Sequence, residues 1–396
     1  MGKARIYSRI AAFGLAAALA VTGLGACDQL GKIADVADRT LRDLPSKADT
    51  YTSMIDITRA MEEALSRGET ELSFNIANVD LADLENIGAN MSSFWGKPLD
   101  YSIAGEYKGL TDIVEGRAVD VMSIASTLSL SDNFYVYNSE RNKIPIPDDR
   151  QQAKEIAAAL PGIAMEIFSE GMSDYEKALA AHDWLVANIE YDISSTFTDE
   201  TNSSYGAIIL KRTLCQGYAD AFELLLRCYT DTGVVQVVGE ALNPQNGETH
   251  AWGGHVWNAV KMDGAWYHID VTFDDPIGNA AGKVSHYYFG QTDDLMSKNH
   301  KWARDFFPSA NAGDFLYFRK SNLFFEGWDV FEMAVSGMLT EEPIESLEAA
   351  IQDPELEEIN LQFMYDTRRE IDELWCEEKV WNDVHVLFID LLYPTS

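Results

Sequence analysis

The chain has 396 residues, 46% of them hydrophobic, and its 64 acidic and 30 basic residues give a net charge of −34. This length and apolar content suffice for a sizeable core divided into two or three structural units. A surface this acidic repels phosphate, which argues against nucleic-acid partners and is typical of a surface that keeps a protein soluble.

The first 26 residues are typical of a lipoprotein signal peptide. Basic residues precede an uncharged run from Ile10 to about Gly25, which is short for a membrane span. The run ends in LGAC, which resembles a bacterial lipobox whose cysteine becomes diacylated. We expect a lipid anchor at Cys27, a tether over 27–50, and a protein held at the extracytoplasmic face of the membrane in the cell envelope. An ordinary signal peptide with an incidental cysteine is the alternative.

Two α+β units are predicted to flank a central domain. Residues 51–145 begin with a helical pattern ended by Gly68 and continue as the alternating strand ETELSFNI. Residues 310–396 contain PIESLEAAIQDPELEEINLQFMY, which we interpret as the same order of helix, turn and strand, so that the two units are candidate copies. The segment KIPIPDDRQQ (143–152), with two prolines and several charges, marks the boundary before a central domain over 150–305.

The central domain is predicted to contain helices followed by antiparallel strands. Helices are expected over Gln151–Leu160 and Ser173–Ile189, the second with Ser173 or Asp174 as its N-cap. Short apolar runs broken by Gly and Asn then predict the strands VVQVVGEAL, GHVWNAVKM, AWYHIDVTF and SHYYFGQ. This order indicates an α+β fold.

The stretch LCQGYADAF places Cys215 in the first turn of a helix, because the apolar residues after it recur at helical spacing. Backbone N–H groups and the helix dipole favour a thiolate there. Gly217 is expected to leave the side that faces a substrate uncrowded. Taken alone, however, Cys215 is better interpreted as a small buried hydrophobic residue, as most free cysteines are.

The cysteine count bears on this interpretation. Four cysteines occur, and if Cys27 carries lipid an odd number remains, so at least one is unpaired or bonded to another molecule. Cys228 and Cys376 either pair with each other or are both buried thiols inside apolar helices. We favour the buried thiols.

A hairpin supplies two partners for the cysteine. In GHVWNAVKMDGAWYHIDVTFDDP, Asp263-Gly264 is a strong signal for a two-residue turn. Residues equidistant from that turn face each other, so Asp270 becomes the diagonal neighbour of His255. Diagonal Cα atoms lie roughly 7–8 Å apart, within reach of a His–carboxylate hydrogen bond. Cys215 as nucleophile, His255 as acid and base, and Asp270 as its orienting carboxylate therefore form a candidate triad.

Four segments in this order, LCQGYADAF, TGVVQVVGEA, GHVWNAV and GAWYHIDVTFDDP, resemble the bacterial transglutaminase-like superfamily. With ALAAHDWLVANIEYD upstream and HYYFGQTDDLMSKNHKW downstream, the resemblance covers about Ser173 to Trp302. It implies a papain-like fold, with the helix that bears the cysteine packed on an antiparallel sheet, and a Cys-His-Asp triad. Thr213 departs from the glycine that is common two residues before the cysteine, which bears on the backbone of the oxyanion hole.

The resemblance implies several activities, because members include cross-linking enzymes, peptidases, amidases and inactive relatives. We favour a cysteine peptidase or amidase that cleaves extracytoplasmic protein or cell-wall peptide through a thioester. Tyr205 is the candidate side-chain donor to the oxyanion, and Gln216 and Trp257 are further candidates for the oxyanion or substrate site. The alternatives are a protein cross-linking transglutaminase and a catalytically silent binding or scaffold module at the cell surface.

A metal site is the competing interpretation of the same region. No spacing in the set matches a known zinc or calcium loop, so no metal or other cofactor is predicted; the set comprises His250, His255, Asp270, Asp274 and Asp275. His250 is also a rival for the catalytic imidazole, and His268 is expected to pack on the sheet.

Overall fold

The computed structural model describes residues 50–77, 94–104, 112–114, 117–119, 121–194, 198–242, 252–275, 283–341, 343–365 and 371–394. The predicted signal peptide, the lipid site Cys27, most of the tether and the rival His250 lie outside these residues. Within the described part of the chain, no helix is long and apolar enough to cross a membrane.

Among its described residues, the N-terminal unit contains a four-stranded sheet and helix α1 (Met54–Ser66). Ser53 caps α1, whose buried face includes Ile57, Met61 and Leu65. The strands are β1 (Thr50–Tyr51), β2 (Glu71–Ala77), β3 (Gly96–Ala104), β4 (Asp112–Val114), β5 (Arg117–Val119) and β6 (Val121–Leu130). The sheet order is β1-β2-β6-β3, with β1 parallel to β2, while β4 and β5 pair separately. The predicted first helix and strand of this unit are confirmed.

Four longer helices follow: α2 (Asp132–Asn142), α3 (Gln151–Ile167), α4 (Asp174–Asn188) and α5 (Cys215–Tyr229). Ser173, one of the two predicted candidates, is the N-cap of α4, and it forms a capping box with Glu176. The predicted end of α3 at Leu160 is wrong, because the helix continues through Pro161. Ile163 extends the buried face, and its packing outweighs the hydrogen bond that proline removes.

The central sheet has the order β12-β11-β10-β9-β13 and is antiparallel throughout. Two short strands, β7 (Glu190–Tyr191) and β8 (Arg212–Thr213), pair in parallel beside it, with a one-turn π-helix at Gly206–Leu210. The sheet strands are β9 (Val234–Leu242), β10 (Trp252–Met262), β11 (Ala265–Ile269), β12 (Phe289–Gln291) and β13 (His300–Lys301). Helix α5 packs against β9 and β10, which places the predicted cysteine helix on an antiparallel sheet.

The predicted hairpin is confirmed in its turn and its register. Asp263 and Gly264 both have positive φ, 51° and 94°, as a two-residue turn of this twist requires. Ala259 pairs with His268, so residues equidistant from the turn do face each other. The strand predicted over AWYHIDVTF ends early, at Ile269, because the chain bends there into a short helix, α6 (Val271–Asp274).

The C-terminal unit is a second four-stranded sheet, preceded by α7 (Asp293–Met296) and α8 (Leu316–Lys320). Its elements are β14 (Phe324–Glu326), α9 (Trp328–Glu341), β15 (Ser346–Gln352), α10 (Gln362–Tyr365), β16 (Glu373–Trp381) and β17 (Val384–Leu392). The helix predicted after Pro343 is wrong, since this segment is strand β15. Leu347, Ala349 and Ile351 alternate along it and are buried between β14 and β17. This period of two is typical of a strand, but the Glu and Ala residues between them favour a helix in the sequence.

The two flanking sheets have the same topology. In each, a strand, a helix and a second parallel strand are followed by two antiparallel strands, the last of which lies beside the second. The C-terminal order is β14-β15-β17-β16, which matches the N-terminal order strand for strand. The structural counterpart of α1 is α9, which lies upstream of the segment that the sequence suggested.

The three cysteines among the described residues are free thiols. Cys228 is buried in α5, as favoured above, whereas Cys376 is half-buried on strand β16 rather than inside a helix. Burial raises the pKa of Cys228 to about 12 and that of Cys376 to about 11. Both thiols are therefore protonated, and poorly reactive, at neutral pH.

A buried arginine joins the N-terminal unit to helix α5. The guanidinium of Arg227 donates to the carboxylates of Glu223 on the same helix and Glu62 on α1, and to the Val234 carbonyl at 2.9 Å. Glu223 is 2% exposed, and burial raises its pKa to about 7 against the opposing effect of Arg227. The cation therefore neutralises a buried acid and fixes the unit at the same time.

Replacing this arginine should destabilise the whole assembly. Arg227→Met retains most of the side-chain volume but leaves Glu223 buried without its ion partner. The expected cost is about 3–5 kcal/mol above neutral pH, where Glu223 must carry charge. Urea unfolding measures it, with the exposed Arg59→Met on α1 as the matched control, which should change little. Equal stability losses in the two variants would contradict the proposed role of Arg227.

Candidate active site

Cys215 is the first residue of α5, as predicted, and its side chain is only partly buried. Leu214 precedes it in an extended conformation, and no side chain caps this helix start. The N–H groups of Gly217 and Tyr218 return to the Leu214 carbonyl, which forms the first turn. The thiol therefore lies at the positive end of the helix dipole, where negative charge is favoured.

Gly217 has a different role from the one expected, because it faces the protein. A Cβ at this position would lie 1.9 Å from Thr213 Oγ1 and 2.5 Å from the Ser203 carbonyl oxygen. Thr213 is fully buried, and its hydroxyl donates to the Thr201 carbonyl at 2.7 Å. The threonine that departs from the family pattern thus anchors the turn before Cys215, and the glycine accommodates it.

His255 and Asp270 are in direct hydrogen-bond contact. The imidazole Nε2 lies 2.7 Å from Asp270 Oδ2, and both side chains are buried. Asp270 follows the last residue of β11 and caps α6, with Oδ1 accepting from the Phe273 N–H at 3.2 Å. The predicted contact is present, but the carboxylate reaches the ring from the bend after the strand and not from within the ladder.

The electrostatics of this pair favour an imidazolium. Burial lowers the pKa of His255, but the charge and hydrogen bond of Asp270, together with a hydrogen bond that the ring donates to Cys215, raise it to about 10. Burial raises the pKa of Asp270, but His255 and then His300 hold it well below its usual range. Because Nε2 is taken by Asp270, Nδ1 is the nitrogen that remains for Cys215. The three side chains thus form one connected line.

His300 is a member of the site that sequence reasoning missed. It is fully buried on β13, and its Nε2 lies 2.9 Å from the same Asp270 oxygen that binds His255. Burial lowers the pKa of His300 to about 4, so the ring is neutral and donates its Nε2–H to the carboxylate. Its Nδ1 lies 2.7 Å from Asn299 Oδ1, and turning the Asn299 amide about its last bond would place an N–H there as the donor that a neutral Nδ1 accepts. The sequence signal that could have identified His300 is its position in NHKW, within the downstream segment that resembles the family.

Tyr191 is a second missed neighbour of the cysteine. It is the last residue of β7 and pairs with Thr213, which lies two residues before Cys215. Burial, and then the charges of Cys215 and Asp270, raise the pKa of Tyr191 to about 12. Its hydroxyl therefore stays protonated at neutral pH and is a candidate donor to an oxyanion.

Two predicted oxyanion or substrate residues have partners elsewhere in the protein. The Tyr205 hydroxyl donates to Glu155 on α3 at 2.8 Å. The Gln216 amide donates to Asp220 and Gln236, both at 3.0 Å, so it belongs to a polar network between α5 and β9. Both side chains are therefore held by other residues of the protein in this structure.

Trp257, the third of these predictions, is part of the core. It is 1% exposed, and its indole N–H donates to His268 Nδ1 at 3.0 Å. Burial lowers the pKa of His268, which as a neutral ring accepts from Trp257 and donates from Nε2 to Asp293 at 2.9 Å. As expected, His268 packs on the sheet, and the Trp257 ring stacks 6.0 Å from His255.

Ligand-type side chains converge at two places in the described residues. One set is His255, Asp270 and His300, whose atoms are engaged in the hydrogen bonds just described. The other is His182, Asp183 and His286, which the sequence did not single out. The other two acids of the competing metal interpretation contact other residues: Asp274 contacts His182, and Asp275 accepts from the Tyr218 hydroxyl.

Comparisons with known proteins found similar sequences and structures. Residues 161–271 match the transglutaminase-like superfamily. The mouse kyphoscoliosis peptidase is 29% identical over 126 residues, which cover 30% of this chain and 18% of that longer protein. A crystal structure of a TGase shares 14% identity over 60% of each chain, with a TM-score of 0.24. The periplasmic domain of TgpA from Pseudomonas aeruginosa shares 14% identity over 51% of this chain and 72% of that one, with a TM-score of 0.23.

His300 should support the reactivity of Cys215 through Asp270. His300→Phe fills the buried space but removes one charged hydrogen bond, worth about 1.5–3 kcal/mol. Iodoacetamide should then alkylate Cys215 roughly 10- to 100-fold more slowly at neutral pH. His300→Gln places an amide donor near the lost Nε2 and should restore part of the rate. An unchanged rate in the Phe variant, or no rescue by Gln, would remove His300 from the site.

Proposed function

Residues 161–271 form a transglutaminase-like domain, and we propose that it cleaves amide bonds as a cysteine peptidase or amidase through a thioester. The observation that carries this proposal is the connected line of Cys215, His255 and Asp270 at the start of α5. The substrate is an extracytoplasmic protein or a cell-wall peptide, and no metal or nucleotide takes part. The lipobox-like LGAC supports a lipid anchor at Cys27 on the outer face of the membrane.

The reaction starts from the thiolate–imidazolium pair. The Cys215 sulfur attacks the carbonyl carbon, and the oxyanion that forms is stabilised by N–H groups at the start of α5 and by the Tyr191 hydroxyl. His255 then gives its Nδ1 proton to the leaving amine as the C–N bond breaks, which leaves a thioester on Cys215. Asp270 keeps the ring oriented throughout by its bond to Nε2.

Water completes the cycle. His255, now neutral, takes a proton from a water molecule whose oxygen attacks the thioester carbonyl. The C–S bond breaks, the carboxylic acid product leaves, and the thiolate–imidazolium pair is restored. Cross-linking would instead use a glutamine side-chain amide in the first half, with ammonia as the leaving group, and a lysine amine in place of water in the second. The name of the matched mouse relative, a peptidase, supports hydrolysis for this chain.

Selective alkylation tests the ion pair. At pH values well below 8.5, the ordinary thiol pKa, iodoacetamide should label Cys215 in the folded protein. Cys228 and Cys376 should stay unlabelled, because burial raises the pKa of each thiol. Mass spectrometry of tryptic peptides after timed labelling gives the three rates.

A His255→Ala variant is the matched control for this labelling. It should lose the fast reaction of Cys215 while its other two thiols behave as before. If Cys215 reacts slowly and His255→Ala changes nothing, the triad is not assembled. The binding or scaffold module would then be the better description.

The acceptor decides between hydrolysis and cross-linking. The protein is incubated with unfolded protein substrates and a fluorescent primary amine, beside Cys215→Ala. A hydrolase produces new amino termini that depend on Cys215 without incorporating the amine. Incorporation of the amine into glutamine side chains would assign the cross-linking activity instead. If neither product forms over a broad substrate set while alkylation is fast, the proposed substrate class is wrong but the proposed triad is retained.

A further inference from the structure

A second cluster of histidines and carboxylates lies at helix α4, and none of its residues belongs to the triad. His182 and Asp183 are consecutive residues of α4, and His286 precedes β12. His182 Nδ1 lies 2.9 Å and His286 Nε2 lies 3.0 Å from the same oxygen, Asp183 Oδ1. Two imidazole nitrogens and one carboxylate oxygen therefore face a common point.

The outer nitrogen of each imidazole is held by a further carboxylate. His182 Nε2 lies 3.1 Å from Asp274 Oδ2, and His286 Nδ1 lies 2.8 Å from Glu348 Oε2. In metal sites a ligating histidine almost always donates its other N–H to a carboxylate or carbonyl, which fixes the tautomer and leaves the inner nitrogen free to bind. Both histidines have this arrangement, and each inner nitrogen donates an N–H to Asp183 Oδ1, a proton that a bound metal ion would replace.

The surroundings of the cluster are those of a prepared site with access from solvent. His182 is fully buried, and His286 is stacked on the Tyr317 ring at 3.8 Å between centroids, so both rings are fixed in place. The Asp183 side chain is 40% exposed, which opens one side to water. Three carboxylates around two imidazoles also give the cluster an excess of negative charge, which favours a cation.

We propose that His182, Asp183 and His286 bind a zinc ion. His182 Nδ1, Asp183 Oδ1 and His286 Nε2 supply three ligands, and water on the exposed side of Asp183 supplies the fourth. Two imidazoles and one carboxylate are a set that zinc takes in tetrahedral geometry, whereas magnesium and calcium prefer oxygen ligands. On binding, each imidazole directs its inner nitrogen to the ion and keeps its outer N–H on Asp274 or Glu348.

The ion would link the central domain to the C-terminal unit. Glu348 lies on β15, and its carboxylate also accepts from the His286 N–H at 3.2 Å. Lys283 pairs with Asp390 on β17 nearby, so the cluster lies within the contact between the two parts. Zinc bound here would stabilise the docking of the C-terminal unit, and this role does not depend on the chemistry of Cys215.

Zinc titration of the purified chain tests the proposal. The chain carries Cys215→Ser, because a thiol beside an imidazole binds zinc by itself, and no affinity tag. After chelator treatment, calorimetric titration with zinc chloride should show one ion per chain, and saturating zinc should raise the melting temperature. Magnesium chloride should do neither. Cobalt should give the strong visible absorption of a tetrahedral site.

Three variants in the same background locate the site. Asp183→Asn should abolish the stoichiometric binding and the rise in melting temperature, whereas Asp294→Asn, an exposed acid on α7, should keep both. Glu348→Gln retains the three ligands and should weaken zinc about 10- to 100-fold. This variant also serves if Asp183→Asn does not fold. The proposal fails if the parent binds no zinc, or if Glu348→Gln and any folded Asp183→Asn bind it as the parent does.

Discussion

The site depends on one buried negative charge, the carboxylate of Asp270. It is completely shielded from water, where an unpaired carboxylate would cost several kcal/mol. Its Oδ2 accepts hydrogen bonds from His255 and His300, and its Oδ1 accepts from the Phe273 N–H. This charge is therefore paired only when four elements come together: the end of β11, the start of α6, and strands β10 and β13. The same contacts position the imidazole of His255, the proposed partner of Cys215.

The flanking units hold the elements that carry the site. Arg227, near the far end of α5 from Cys215, is clamped by an acid of the N-terminal unit. At another face, His286 is clamped by Glu348 of the C-terminal unit, and through Asp183 and His182 this contact reaches α4 and Asp274. Two sheets of the same topology thus contact the central domain at different places, each through a carboxylate that binds a buried nitrogen-bearing side chain.

Much of the site could be predicted because its main contact lies within one hairpin. The Asp263-Gly264 turn sets the register that brings Asp270 to His255, and the apolar spacing after Cys215 places that residue at a helix start. His300 and Tyr191 were missed because their contacts come from strand neighbours distant in sequence. Strand β15 was misread because Glu and Ala favour helices, and its burial on both sides appears only in the folded sheet.

The sequence by itself determined the local features: the turn of the hairpin, an N-cap at the start of α4, and the position of Cys215 in the first turn of α5. Each depends on interactions between residues a few positions apart, which any isolated segment already contains. Only the tertiary structure decided that β13 lies beside β9, and hence that His300 shares Asp270 with His255. It likewise decided that Gly217 faces Thr213 and that His286 meets His182 across Asp183. These contacts follow from the order of strands and the packing of helices, which no short-range pattern encodes.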